Sequence, residues 1–121
     1  MKKWLLTLWA ATLVSAFAPF AGAHAHLDRA LPAAGSVVRE SPRELKLWFT
    51  QRLESAFSEV RVIDAAGRRA DKGDAKVDVD DAKVLRVSLP KLAPGSYRVK
   101  WRVLSVDTHV SEGEFTIDVA P

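Results

Sequence analysis

The chain has 121 residues, of which 48% are hydrophobic, with no cysteine and a formal charge of +3. Lys2 and Lys3 account for most of that charge, so the remaining chain is nearly neutral and gives no argument for nucleic-acid binding. The absence of cysteine excludes a disulfide scaffold. Because Met1 is the one methionine, a chain without its N-terminal segment offers no sulfur ligand for a soft metal ion.

The first residues predict an export signal. Two lysines precede an apolar stretch at residues 4–20, and Ala21-Gly22-Ala23 follows it. This order is typical of a secretory signal peptide, with an uncleaved membrane anchor as the alternative. Cleavage after Ala23 or after Ala25 satisfies the rule of small residues at the cut, and the cut after Ala23 is preferred because it closely follows the apolar stretch. We therefore predict a signal peptide at residues 1–23, a periplasmic location and one domain at residues 24–121.

Beyond the signal, apolar residues alternate with polar ones and turn residues separate the segments, which is typical of β-strands. The inward positions fall in five groups: Leu45, Leu47 and Phe49; Val60 and Val62; Leu85, Val87 and Leu89; Tyr97, Val99, Trp101 and Val103; Phe115, Ile117 and Val119. No stretch has a helical stripe. The pattern predicts an all-β, immunoglobulin-like antiparallel β-sandwich of about seven strands with Greek-key connections.

The acidic segment at residues 70–81 interrupts this alternation and is interpreted as a polar hairpin or loop. It carries Asp71, Asp74, Asp78, Asp80 and Asp81 among lysines and small residues. The glycine and glutamate positions of a calcium-binding EF-hand loop are missing, so a calcium site is not predicted there.

The three histidines are the candidates for chemistry, and two of them lie at the new N-terminus. Cleavage after Ala23 makes His24 the first residue, and an N-terminal histidine offers an amine and an imidazole nitrogen that can chelate one metal. Both groups lose their protons readily near neutral pH. Nitrogen and oxygen ligands without sulfur favour Cu(II), with zinc as the main competitor.

Asp107 and His109 are the candidates for the rest of the site. If the segment around them stays extended, residues two apart project to the same face. The alternation does not decide which face these residues take, however, because Leu104 and Val106 are apolar as well. The alternative is a bulge or a polar turn between two strands. His26 could instead take part in a site made of the amine and two backbone amides.

Longer segments resemble a known family. The stretch Pro94-Gly-Ser-Tyr-Arg-Val-Lys-Trp-Arg-Val-Leu-Ser-Val-Asp-Thr-His109, with Gly113-Glu-Phe115, is similar to the C-terminal signature of the CopC family of periplasmic copper-binding proteins. His24-Ala-His-Leu27, Pro32-Ala-Ala-Gly-Ser36 and Leu47-Trp-Phe-Thr50 resemble the N-terminal half of that family. Together these matches cover nearly all of the mature chain.

The resemblance implies one Cu(II) ion per chain, bound by the amine and imidazole of His24, a carboxylate oxygen of Asp107 and the imidazole of His109. It also implies a carrier or buffer in copper resistance or homeostasis, with a CopD-like inner-membrane copper transport protein as partner. We predict a monomer. The chain departs from the family in two ways. It lacks the methionine-rich Cu(I) site of some members, and it has Gln51 where members often have glutamate.

The sequence leaves three alternative functions to weigh against copper transport. A copper-dependent oxidative enzyme can also use an N-terminal histidine, but Asp107 would fill the coordination plane and leave little room for oxygen, so no enzyme is predicted. An adhesive or chaperone-like sandwich without metal is a second alternative. Ser105, Asp107 and His109 lie too close along the chain for a hydrolase triad.

Overall fold

The computed structural model describes residues 25–121, and these residues fold into two stacked β-sheets. Its elements in chain order are β1 (Leu27–Leu31), β2 (Val37–Val38), β3 (Glu44–Phe49), a 3-10 helix (Ser55–Phe57), β4 (Glu59–Ile63), β5 (Lys76–Val77), β6 (Val84–Ser88), β7 (Gly95–Leu104) and β8 (Val110–Val119). Sheet I has the strand order β1-β3-β6-β5, and sheet II has the order β2-β8-β7-β4. In this part of the chain, no helix is both long and apolar enough to cross a membrane.

The predicted β-sandwich is confirmed, with eight strands in residues 25–121 rather than about seven, and sheet II is mixed because β2 runs parallel to β8. The alternating apolar residues face inward between the two sheets, and Leu45, Leu47, Val60, Val62 and Leu85 have no exposed surface. β1 and β2 were not predicted, and β5 lies within the predicted acidic loop. A register shift between Leu27 and Arg29 breaks the alternation in β1, while β2 and β5 have two residues each.

The entry into β7 has a feature found in immunoglobulin-like sandwiches. Tyr97 is buried, and its hydroxyl donates a hydrogen bond of 2.5 Å to the carbonyl oxygen of Ala93, four residues earlier. A tyrosine that bonds back to the backbone at the start of a strand fixes the corner between two sheets in that fold. This contact determines where β7 begins its path towards the opposite end of the sandwich.

The free edge of β4 is covered by the residues that follow it. The amide of Ala70 donates to the carbonyl oxygen of Val62 at 2.7 Å, and the amide of Val62 donates to Oδ1 of Asp71 at 2.8 Å. The Asp71 side chain has no exposed surface, and it also accepts hydrogen bonds from Arg69 and the Gly73 amide. Asp71 thus satisfies backbone groups that an open sheet edge would leave unpaired.

Two more aspartates of the 70–81 segment, Asp74 and Asp78, have structural partners too. Asp74 accepts a hydrogen bond from the amide of Ser88, and Asp78 lies 2.7 Å from Arg86. The hydrogen bonds from Ser88 and from Arg86 lower the pKa of Asp74 and of Asp78, respectively. These carboxylates attach the loop to β6.

Candidate metal centre

Asp107 and His109 lie together in the tight turn between β7 and β8. The turn closes through the Ser105 amide, which donates to the His109 carbonyl oxygen at 3.0 Å, and the Thr108 amide, which donates to the Ser105 carbonyl oxygen at 2.9 Å. Thr108 has a φ of 71°, in the left-handed region that threonine rarely adopts. The extended geometry considered for this stretch is therefore wrong, and the polar turn between two strands is correct.

The turn nevertheless brings the two side chains together. Nδ1 of His109 lies 3.3 Å from Oδ1 of Asp107, and both side chains are between two-fifths and one-half exposed. Two ligand atoms that each lie about 2.0 Å from a metal at a right angle are roughly 2.8 Å apart. The observed separation is therefore compatible with neighbouring positions in one coordination sphere.

Ser105 holds the Asp107 carboxylate in place. Ser105 is fully buried, and its hydroxyl donates a short hydrogen bond to Oδ1 of Asp107. That hydrogen bond is the main cause that lowers the pKa of Asp107, with a smaller contribution from the His109 amide. Asp107 is therefore ionised at neutral pH, the form in which a carboxylate binds a metal.

The same contacts exclude a hydrolase triad at these residues. In a triad the nucleophilic hydroxyl bonds to the histidine and the carboxylate orients that histidine. Here the Ser105 hydroxyl donates to Asp107, and its side chain has no surface on which a substrate could bind.

The chain segment at residues 50–53 connects this turn to the N-terminal strand. At one end of the segment, the His26 amide donates to the Thr50 hydroxyl at 2.9 Å and the Thr50 amide donates to the His26 carbonyl oxygen at 2.9 Å. At the other end, Leu53 forms a β-bridge with Ser105, and the Val106 amide donates to the Arg52 carbonyl oxygen. The start of the described chain and the Asp107–His109 turn therefore lie at the same end of the sandwich.

His24, the third predicted ligand, lies outside the described residues. Within residues 25–121, no group of three or more histidine, cysteine, aspartate or glutamate side chains could hold a metal on its own. A complete centre at this end requires a ligand in addition to Asp107 and His109.

Trp101 and Gly113 pair across β7 and β8, the two strands that lead into and out of the turn. The rings of Phe49 in sheet I and Trp101 in sheet II meet edge to face, with centroids 5.1 Å apart. Gly113 lies opposite Trp101 on β8, and a Cβ atom there would lie 2.5 Å from the indole ring. This close approach explains why glycine occupies position 113 in the C-terminal signature.

Sequence reasoning missed the structural roles of two residues at this end, Ser105 and Thr50. Ser105 continues the odd-numbered inward positions of β7, so its burial at the end of that series was a usable signal. Thr50 gave no such signal, because its partner His26 is 24 residues away.

Comparisons with known proteins agree with this architecture. Residues 27–120 match the model of the CopC domain. Protein YobA of Escherichia coli K12 is 34% identical over 97% of this chain and 93% of its own length. Copper resistance protein C of Pseudomonas syringae pv. tomato is also 34% identical, over 94% and 93% of the two chains. The crystal structure of CopC from Methylosinus trichosporium OB3b has a TM-score of 0.76 and 40% identity, and the match covers 81% of this chain and 95% of that one.

These matches support the prediction of a copper protein without enzymatic activity, and they argue against an adhesive sandwich without metal. The match to the domain model spans nearly the whole described chain, and the solved relative has the same fold. The chain therefore belongs to the CopC family of copper-binding β-sandwich proteins.

Proposed function

We propose that the chain is a periplasmic Cu(II) carrier or buffer whose single copper ion is bound by His24, Asp107 and His109. The amine and imidazole of His24 supply two nitrogen ligands, His109 supplies a third, and the Asp107 carboxylate supplies an oxygen. Such a set suits the tetragonal coordination of Cu(II). The observation that carries the proposal is the segment at residues 50–53, which contacts His26 on one side and the Asp107–His109 turn on the other.

Burial at the N-terminus supports cleavage after Ala23. Ala25 has no exposed surface and belongs to the hydrophobic core, next to side chains of both sheets. Cleavage after Ala25 would remove this residue from the mature protein and leave a gap in the core. Cleavage after Ala23 keeps Ala25 and places the new amine on His24.

The alternative site built on His26 is less well supported. A Cu(II) site of that type needs the deprotonated amide nitrogens of Ala25 and His26 as ligands. The His26 amide donates a hydrogen bond to Thr50, and Ala25 is buried. The hydrogen bond would have to break, and Ala25 would have to leave its buried position, before copper could bind in that way.

The physiological role follows from the exposure of the turn. Asp107 and His109 are accessible from solvent, so a bound ion could be passed to another protein without unfolding. We propose that the protein acts as a monomer at low concentration and exchanges copper with a CopD-like inner-membrane transport protein. Relatives named copper resistance protein C support a role in resistance or homeostasis.

The proposal is tested by titrating the processed protein with Cu(II) and recording its EPR spectrum. We expect one ion per chain and a tetragonal signal. His109→Ala should lose one nitrogen ligand and bind about 100-fold more weakly, a change of about 2.8 kcal/mol. His26→Ala is the matched control and should keep both the spectrum and the affinity. An equal loss in both variants would contradict the proposed ligand set.

Ser105→Ala provides a second prediction. Without the hydroxyl, Asp107 loses the donor that orients it, and Cu(II) affinity should fall by about 10- to 100-fold, as for other partners of metal ligands. Isothermal titration with a competing chelator measures this change. Ser96→Ala, at the exposed start of the same strand, should bind like the wild type. Wild-type affinity in a folded Ser105→Ala protein would show that the hydrogen bond has no role in binding.

A further inference from the structure

On the outer face of sheet II, β7 and β8 carry two rows of opposite charge, and the neighbouring β4 adds Glu59 beside Arg102 and Arg61 beside Lys100. Val99, Val103 and Ile117 point into the core, so the residues between them point outward. On β7 the outward row includes the cations Arg98, Lys100 and Arg102. On β8 the outward row includes Glu112 and Glu114. We call the outward residues of these two strands the β7–β8 face.

The register between the two strands places opposite charges side by side. Lys100 lies opposite Glu114, and Arg102 lies opposite Glu112. Within residues 25–121, no ion pair joins the cationic row to the anionic row. These long side chains therefore remain available to charged groups above the face.

The same face is apolar at the end next to the candidate metal centre. Leu104 lies opposite Val110 in the register, and both line a shallow groove together with Phe57. Phe57 is 68% exposed and Val110 is 50% exposed, so water contacts large apolar side chains there. A partner that covers this end would remove that surface from water.

The β7–β8 face is complementary to itself. A two-fold axis can lie in this face, parallel to the strands and between β7 and β8. Rotation about this axis places β7 of one copy over β8 of the other. Because paired residues have the same height along the strands, the rotation sets Lys100 over Glu114, Arg102 over Glu112 and Leu104 over Val110. We propose that a second copy of the chain docks on this face and forms a symmetric dimer.

Sheet twist limits how far this match extends. Sheets that pack face to face cross at about 30°, so matching is closest where the two strand pairs cross. The Arg102–Glu112 pair lies between the Lys100–Glu114 pair and the Leu104–Val110 pair. If the strand pairs cross at Arg102–Glu112, the other two residue pairs are displaced sideways by only about 3 Å, because each lies two residues further along the strands.

The size of the face indicates a weak dimer. Ten residues per strand give a length of about 33 Å, and a width of about 15 Å yields roughly 500 Å² per copy. A stable complex commonly buries about 800 Å² per partner. The dimer should therefore form at high protein concentration and dissociate on dilution. Both β7–β8 turns would lie at the same end of it, but the dimer itself requires no metal.

Sedimentation velocity of the metal-free protein tests the proposal. Between about 10 µM and 1 mM the wild type should shift from monomer towards dimer, and 0.5 M NaCl should reduce the shift because it screens the charged rows. Lys100→Glu with Arg102→Glu is called the all-acidic variant because both opposite-charge pairs become acidic, and Glu112→Lys with Glu114→Lys makes both pairs basic. Each variant alone should stay monomeric, whereas an equimolar mixture should form a one-to-one dimer.

A matched control reverses two cations on the other sheet, as Lys46→Glu with Lys76→Glu. It has the same net charge as the all-acidic variant, and we expect it to associate like the wild type. Circular dichroism verifies that each variant folds. A wild type that remains monomeric at 1 mM, or a mixture of the two face variants that remains monomeric, would overturn the proposal. Neither result would affect the proposed copper site, because no copper is present.

Discussion

One alanine added in front of His24 in the mature protein should weaken Cu(II) binding by about 10³-fold, equivalent to about 4 kcal/mol. The extension turns the His24 amine into an amide nitrogen, which must lose its proton before it can bind Cu(II) and is therefore a much weaker ligand than the amine. It thereby breaks the chelate ring that His24 forms on its own. Asp107 and His109 remain 3.3 Å apart in the turn, but together with the His24 imidazole alone they bind an ion far less strongly than the four ligand atoms that include the amine.

The measurement is a competition titration of the extended and the correctly processed proteins, with mass spectrometry to verify the first residue. A matched control carries one extra alanine after Pro121, at the other end of the chain, and should bind copper like the wild type. Equal affinity of the extended and processed proteins would remove the amine from the ligand set. Asp107 and His109 would then need another partner.

Asp71→Ala should lower the free energy of unfolding by about 3 kcal/mol. The buried carboxylate accepts hydrogen bonds from the amides of Val62 and Gly73, and alanine leaves both donors without this acceptor. Hydrogen bonds to charged groups contribute about 1.5–3 kcal/mol each, and a buried donor left unsatisfied costs a similar amount. Loss of the Val62 contact also opens the edge of β4 to other chains.

Urea unfolding of the metal-free protein measures this loss. Asp80→Ala, in the same loop but exposed, should change stability by less than about 0.5 kcal/mol. Asp71→Asn retains an oxygen acceptor, so its free energy of unfolding should lie between those of Asp71→Ala and the wild type. If Asp71→Ala were as stable as Asp80→Ala, the edge of β4 would not depend on this carboxylate.

Most of the sandwich could be predicted because its long strands alternate apolar and polar residues. β3, β4, β6, β7 and β8 follow that rule, and the turns at residues 64–67 and 94–95 separate them as expected. β1 breaks the rule through its register shift, which brings Leu27 and Ala30 to the same face although they are three residues apart. β2 has two residues and is held by pairing with β8, which local sequence does not reveal.

The candidate site could be predicted in its residues but not in its geometry. Ligand chemistry and the family resemblance selected Asp107 and His109. Alternation could not decide the path of the backbone, because apolar residues on both parities surround Ser105. The turn depends on the left-handed backbone of Thr108 and on the β-bridge from Leu53, a residue far away in the sequence.

The bridge between Leu53 and Ser105 has a consequence for the exported protein. His26 is hydrogen-bonded to Thr50, which follows β3 of sheet I, whereas Asp107 and His109 lie in the turn of the β7–β8 hairpin of sheet II. An ion bound by His24, two residues before His26, and by Asp107 and His109 would act as a removable cross-link in a chain that has no cysteine for a disulfide. Copper occupancy would then control how readily this end opens to a protease, and the cell could clear the empty protein faster than the filled one.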